Sequence, residues 1–141
     1  MFKKILVPID MQRQRLAARL LKQVDAMAGA LDAQVHVITV IPGYGMPIVA
    51  SYFPVNAQKK AKQKMEASLK KFVREKMRNK ATTGVSVGKR AESILKVVRQ
   101  RKPDLMIVGH TKRKVGGEMA LGSCSTKLAT HSPCSVMTLK M

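Results

Sequence analysis

Gly109, Gly116, Gly117 and Gly122, followed at once by Ser123, form the stretch of this chain best suited to holding an anion. Glycine lets the main chain approach a phosphate closely, and a helix beginning at Ser123 would present unpaired N–H groups and a positive dipole end. The Ser123 hydroxyl could donate as well. A second candidate is Pro8-Ile9-Asp10, where a carboxylate ends the apolar run of residues 3–9. Cations gather near both segments: Arg13 and Arg15 in one, Lys112, Arg113 and Lys114 in the other. Helix starts favour acids, so arginines there are costly unless an anion arrives. The alternative is that they share a chain-wide surplus of positive charge.

Familiar phosphate motifs are missing. No G-x-G-x-x-G follows the first apolar run, and Gly117-Glu118-Met119-Ala120-Leu121-Gly122-Ser123 lacks the lysine of a P-loop. No Ser-His-Asp or Cys-His order suggests a nucleophile, so no catalytic residue is assigned. His36, His110 and His131 have no metal spacing with Cys124 or Cys134, and no metal site is assigned. His36 reads as structural and His131 as a helix-end residue. His110 borders the glycine segment, where it would touch phosphate or stand exposed.

The elements that must position these residues alternate. Residues 3–9 read as a buried strand and 34–41 as a β-branched second strand. Val85–Val87, Leu105–Val108 and residues 135–140 are three more. Helices are expected over 13–31, 57–78, 91–101 and from Ser123 to near His131, where Ser123 caps the start and Pro133 stops the end. Prolines and glycines make 42–56 a loop. Its Tyr44, Tyr52 and Phe53 could cover a base, or the loop is a mobile surface segment. The segment between Gly109 and Gly122 also reads as a loop. Strand–helix alternation predicts an α/β protein with a parallel sheet covered by helices on both faces, one domain over residues 1–141. Ligands of such sheets sit beyond the carboxyl ends of the strands, where strand order reverses.

Composition limits the setting. Of 141 residues, 45% are hydrophobic, enough for one packed core. Two cysteines make no disulfide framework, no signal peptide is evident, and no segment has the ~18 apolar residues of a membrane span. The expected location is the cytoplasm, with no membrane partner. The 27 lysines and arginines against 8 acids, a net charge of +19, attract anions without choosing among them. The basic helix 57–78 reads as a solvated face. A nucleic acid partner is not favoured, because only 4% of the residues are aromatic and no RNA- or DNA-binding signature is present.

The order ILVPID, then GKRAESIL, then LMIVGH through LGSCSTKLATHSPCSVM resembles the universal stress protein family over nearly the whole chain. Nucleotide-binding members of that family carry G-x2-G-x9-G-[ST]. Gly109, Gly122 and Ser123 match it, and Lys112 stands where the middle glycine would be. The resemblance implies an open five-stranded parallel sheet of order 3-2-1-4-5 and a homodimer formed through the last strand, residues 134–140. It implies that Asp10, beside Pro8 and Ile9, holds adenine or ribose and that Val40 lines the adenine slot. Gly109, Gly122 and Ser123 hold phosphates, with His110, Lys112, Arg113 and Cys124 in the same site. The implied ligand is ATP, with or without Mg2+. The implied role is a stress-response sensor or regulator with at most slow hydrolysis. The alternatives are a family member that binds no nucleotide and acts through an unidentified protein partner, and a basic nucleic-acid-associated protein. At Lys112 two effects compete: the side chain blocks phosphate, or its ammonium reaches the terminal phosphates. The second is favoured, because Arg113 and Lys114 extend the same cationic surface.

Overall fold

The computed structural model describes residues 1–43, 55–111, 113–115, 118–120 and 123–141, and for residues 55, 56, 113–115 and 118–120 it describes the main chain only. Elements follow in the order β1 (Lys4–Pro8), α1 (Gln14–Leu31), β2 (Gln34–Pro42), α2 (Val55–Lys76), β3 (Ala81–Gly88) and α3 (Arg90–Arg101). Then come β4 (Leu105–His110), β5 (Arg113–Val115), β6 (Glu118–Ala120), α4 (Ser123–His131) and β7 (Ser135–Lys140). β3, β2, β1, β4 and β7 form one parallel sheet in that spatial order, which is the expected 3-2-1-4-5.

The strands are apolar on both faces because helices cover both. Ile5 and Val7 face one layer and Leu6 the other, and all three are buried. On the first face α1 contributes Leu20, Leu21 and Val24, and α2 contributes Leu69, Phe72 and Val73. On the second, α3 contributes Ile94, Leu95 and Val98, and α4 contributes Leu128. The three-four spacing of these residues makes α1, α2 and α3 amphipathic. β3 is longer than the sequence suggests. Its short polar residues pair with β2 from Ala81 to Gly88, and only Val85 is buried. Pairing, rather than hydrophobic pattern, holds this edge.

Two differences matter near the strand ends. The segment expected to be loop after β4 contains a hairpin, with Arg113, Lys114 and Val115 opposite Ala120, Met119 and Glu118. Three-residue strands of mixed charge and apolar character give too short a pattern to read. Ser123 is the first residue of α4 and not its cap. Residues 44–54, and with them the reading of Tyr44, Tyr52 and Phe53, lie outside the described residues.

The carboxyl ends of β2 and β3 meet at a close glycine contact. Gly88 has φ +145, and a Cβ there would come within 2.9 Å of Ser93 Oγ. The Gly43 N–H donates to the Gly88 carbonyl at 3.2 Å. This turn leads directly into α3, whose first residue is Arg90. No helix among the described residues is long and apolar enough to cross a membrane.

Candidate functional site

Strand order reverses between β1 and β4, and these strands pair only at Ile5–Leu105 and Leu6–Met106. Beyond Leu6 the first strand leans toward β2: the Ile9 N–H donates to the Ile38 carbonyl at 2.8 Å, and Thr39 Oγ1 donates to the Ile9 carbonyl at 2.9 Å. β4 instead stays paired with β7 as far as His110 opposite Lys140. The two central strands therefore part at their carboxyl ends. A cleft of about 310 Å³ opens there, at the small end of the ~300–1,000 Å³ usual for small-molecule sites.

Pro8, Ile9 and Asp10 form one wall of the cleft, and Gly109, His110 and Thr111 the other. Ser123, Cys124 and Ser125, at the start of α4, close a third side. Leu16, Ala17 and Leu20 of α1 and Ile94 and Leu128 supply an apolar lining. A Cβ at Gly109 would lie 3.4 Å from Leu20 and 3.5 Å from Met141, in ordinary van der Waals contact with two residues of the cleft lining.

Asp10 is engaged at both oxygens. Its Oδ1 accepts the Gln12 N–H at 2.9 Å, and its Oδ2 faces the Arg90 guanidinium at 3.6 Å. The carboxylate does not cap α1: that helix begins at Gln14 behind Arg13, with no side-chain cap bond. Arg13 reaches across the cleft, its Nη1 donating to Thr111 Oγ1 at 3.4 Å. Two guanidinium groups thus stand at the rim, and the first turn of α4 holds no acid. Burial pushes the Cys124 thiol up, against the opposing pull of Arg90 and Lys127. It stays a protonated, weakly polar wall residue and not a thiolate nucleophile.

Of the residues expected from sequence, Pro8, Ile9, Asp10, Gly109, His110, Ser123 and Cys124 line this one cleft. Val40 is not in the lining. It sits on β2, half-buried against the Leu6, Ile38 and Ile94 cluster that backs the cleft. Arg113 lies in β5 by its pairing with Ala120, and its side chain is not described; Lys112 and Gly122 lie outside the described residues.

Sequence reasoning missed Arg90. The rule of reversed strand order points to β1 and β4 and not to β3, an edge strand, so Gly88-Lys89-Arg90 beyond its end carries no such signal. The Arg90–Asp10 contact emerges only in the structure. The arrangement suits a ligand with a flat, partly apolar part against α1 and an anionic part near Arg13, Arg90 and the α4 start.

A sequence model described as the universal stress protein family matches residues 1–140. A universal stress protein of Methanocaldococcus jannaschii is 26% identical, with 99% of this chain and 83% of that protein aligned. One from Thermus aquaticus is 28% identical over 99% of this chain and all of that protein. Among solved structures, UspA of Lactobacillus plantarum superposes with a TM-score of 0.70 at 21% identity, covering 98% of this chain and 97% of its own. A universal stress protein family protein of Arabidopsis thaliana, with AMP bound, gives 0.65 at 18% identity, covering 98% and 91%. One from Archaeoglobus fulgidus, in complex with dAMP, gives 0.63 at 16% identity, covering 97% of each chain.

Proposed function

The chain belongs to the universal stress protein family, and we propose that it binds an adenine nucleotide, ATP by preference, in the cleft between β1 and β4. The observation that carries this reading is the pairing of Asp10 with Arg90 opposite Gly109 and the start of α4. One carboxylate is present to accept hydrogen bonds from ribose or the adenine amino group. Cations and free N–H groups lie on the side where phosphates would go. AMP and dAMP in two relatives of the same fold support the choice of adenine.

Asp10 would accept from the nucleoside, and Ile9 and Val40 would offer main chain and apolar surface to the base. The N–H groups at Ser123 and Cys124 would meet phosphate, helped by the Ser123 hydroxyl. Gly109 allows close main-chain approach. Arg90 and Arg13 would neutralise the added phosphates of ATP. If Mg2+ accompanies ATP, phosphate oxygens and water would supply most of its ligands.

The role that follows is binding and not turnover. Asp10 is already held by Arg90 and the Gln12 N–H, and Cys124 is protonated. We read the protein as a cytoplasmic, homodimeric stress sensor or regulator whose nucleotide occupancy alters its contact with a protein partner. The test is to purify the chain from its host under native conditions, release the ligand by heat and identify it by mass spectrometry. Stoichiometric adenine nucleotide is expected. Protein free of nucleotide that also fails to take up ATP in calorimetry would move the chain to the family members that bind none.

A further inference from the structure

α1 and α2 cover the same face of the sheet, and their outer surfaces are basic in a way the cleft does not use. In α2 residues 57–64 are exposed without exception, and the helix is first anchored fully at Leu69. That free half carries Lys59, Lys60, Lys62 and Lys64, with no acid in the first turn. Arg15, Arg19 and Lys22 are exposed on the neighbouring α1. Among the described residues the only ion pair within 4 Å is Arg90 with Asp10, so none of these cations is neutralised. Asp25, the one acid of α1, is occupied by the N–H groups of Arg78 and Asn79. Lys60 and Lys64 repel each other at i, i+4, and Lys59 and Lys62 at i, i+3. The isolated chain bears these costs unrelieved.

We propose that the α1–α2 face docks on the phosphate backbone of double-stranded nucleic acid. The surface selects this class of partner. A membrane would need an apolar face, but the apolar face of α2 (Leu69, Phe72, Val73) is buried in the core. The exposed large hydrophobic residues among those described are Met1 and Val87, on neither helix. A single strand would need exposed aromatic rings, and among the described residues α1 has no aromatic and Phe72, the aromatic of α2, is buried. What remains is the lysine cluster of residues 59–64, beside Arg15, Arg19 and Lys22 of α1. At ~1.5 Å per residue Lys59 to Lys64 cover about 8 Å of helix axis, over which a duplex presents several phosphates at about one charge per 1.7 Å. Contact with phosphates alone carries no sequence preference and depends steeply on salt.

The inference is independent of the nucleotide cleft, and its test avoids cleft residues. Labelled duplexes of about 24 base pairs, one DNA and one RNA, are titrated by fluorescence anisotropy from about 50 to 200 mM salt. The logarithm of affinity should fall with the logarithm of salt at a slope of about −4 or steeper. Lys59→Gln/Lys60→Gln/Lys62→Gln/Lys64→Gln should weaken binding at least ~30-fold and flatten the slope by about 3. The four matching Lys→Arg changes should keep affinity within ~3-fold. A control removes the same charge from the opposite layer: Lys96→Gln/Arg99→Gln/Arg101→Gln/Lys127→Gln, all exposed positions, should weaken binding less than ~5-fold. Circular dichroism confirms that each variant is folded. Equal losses in the two glutamine variants would assign binding to net charge and overturn the proposal. So would failure to bind either duplex at about 100 mM salt, or tighter binding to phosphatidylcholine vesicles containing about 30% phosphatidylserine. A preference between DNA and RNA would identify the source of the duplex within the same chemistry.

Discussion

Asp10 is the residue on which two effects of opposite sign meet. It is the carboxylate of the cleft and also the partner of Arg90. Removing it takes away an acceptor for the nucleoside and releases a guanidinium toward the phosphates. For adenosine only the first effect operates, so Asp10→Ala should weaken adenosine by about 1.5–3 kcal/mol. For ATP the freed Arg90 offsets part of that loss. Arg90→Gln should do the reverse, lowering ATP affinity by roughly 5-fold and leaving adenosine within ~2-fold. Raising salt should shrink the ATP effect. Calorimetry on the four protein–ligand pairs checks the pattern. Lys112 belongs to the same scale although it lies outside the described residues. Lys112→Gly should reduce the preference for ATP over AMP if the ammonium pairs with terminal phosphates. Tighter ATP binding by that variant would mark the lysine as an obstruction.

His36 is a residue of another kind. It sits 9% exposed on β2, its Nδ1 2.6 Å from Thr82 Oγ1, close against Gly84. Burial, reinforced by the Arg101 charge, lowers its pKa to about 4. The unfolded imidazole takes a proton near 6.5 and the folded one does not until about 4. Below 6.5 the unfolded state therefore binds more protons, and stability falls as pH drops, levelling off below 4. The loss between pH 7.5 and 5.0 should be about 2 kcal/mol. Urea unfolding at both values measures it, and His36→Leu should remove most of the difference. An unchanged difference in that variant would place the sensitivity elsewhere.

At the scale of elements, the sequence was most readable where burial dictates pattern. Ile5, Leu6 and Val7 must be apolar on both sides, and the three-four spacing of Leu20, Val24, Met27 and Leu31 marks one face of a helix. Asp10 and Gly109 are legible as neighbours only through the family resemblance, which implies a strand order that reverses between β1 and β4. β3 reads as Val85–Val87 alone because Ala81, Thr82, Thr83 and Gly84 at its start give no apolar pattern. Arg90 is not legible as a site residue because β3 is an edge strand, away from the reversal of strand order. The β5–β6 hairpin escaped because main-chain pairing, and not hydrophobic period, defines it. Among the described residues β7 is an edge strand paired on one side only, with Val136, Met137 and Leu139 half-buried. An edge strand of this kind invites a second copy. Val136→Pro should convert a dimer to a monomer in sedimentation, with circular dichroism retained, because proline donates no ladder bond. A folded variant that stays dimeric would place the interface away from β7.

At the scale of the molecule, a net charge of +19 is spread over a fold whose central cleft needs only a few cations. Arg13 and Arg90 line the cleft, while Arg15, Arg19 and Lys22 of α1 and Lys59, Lys60, Lys62 and Lys64 of α2 are exposed and outside its lining. This separation makes the nucleotide account testable apart from the general attraction of a basic protein for anions. ATP binding driven by net charge would respond to any removed lysine and to any polyphosphate. Binding in the cleft depends on the base and on Asp10. The most direct measurement is calorimetric titration of the dialysed protein with ATP, with inorganic triphosphate and with adenosine, repeated on Asp10→Ala. The account predicts saturable one-to-one binding of ATP, no comparable binding of triphosphate, and measurable adenosine binding that the substitution weakens by roughly 10-fold or more. Equal affinity for ATP and triphosphate, unchanged by Asp10→Ala, would contradict it.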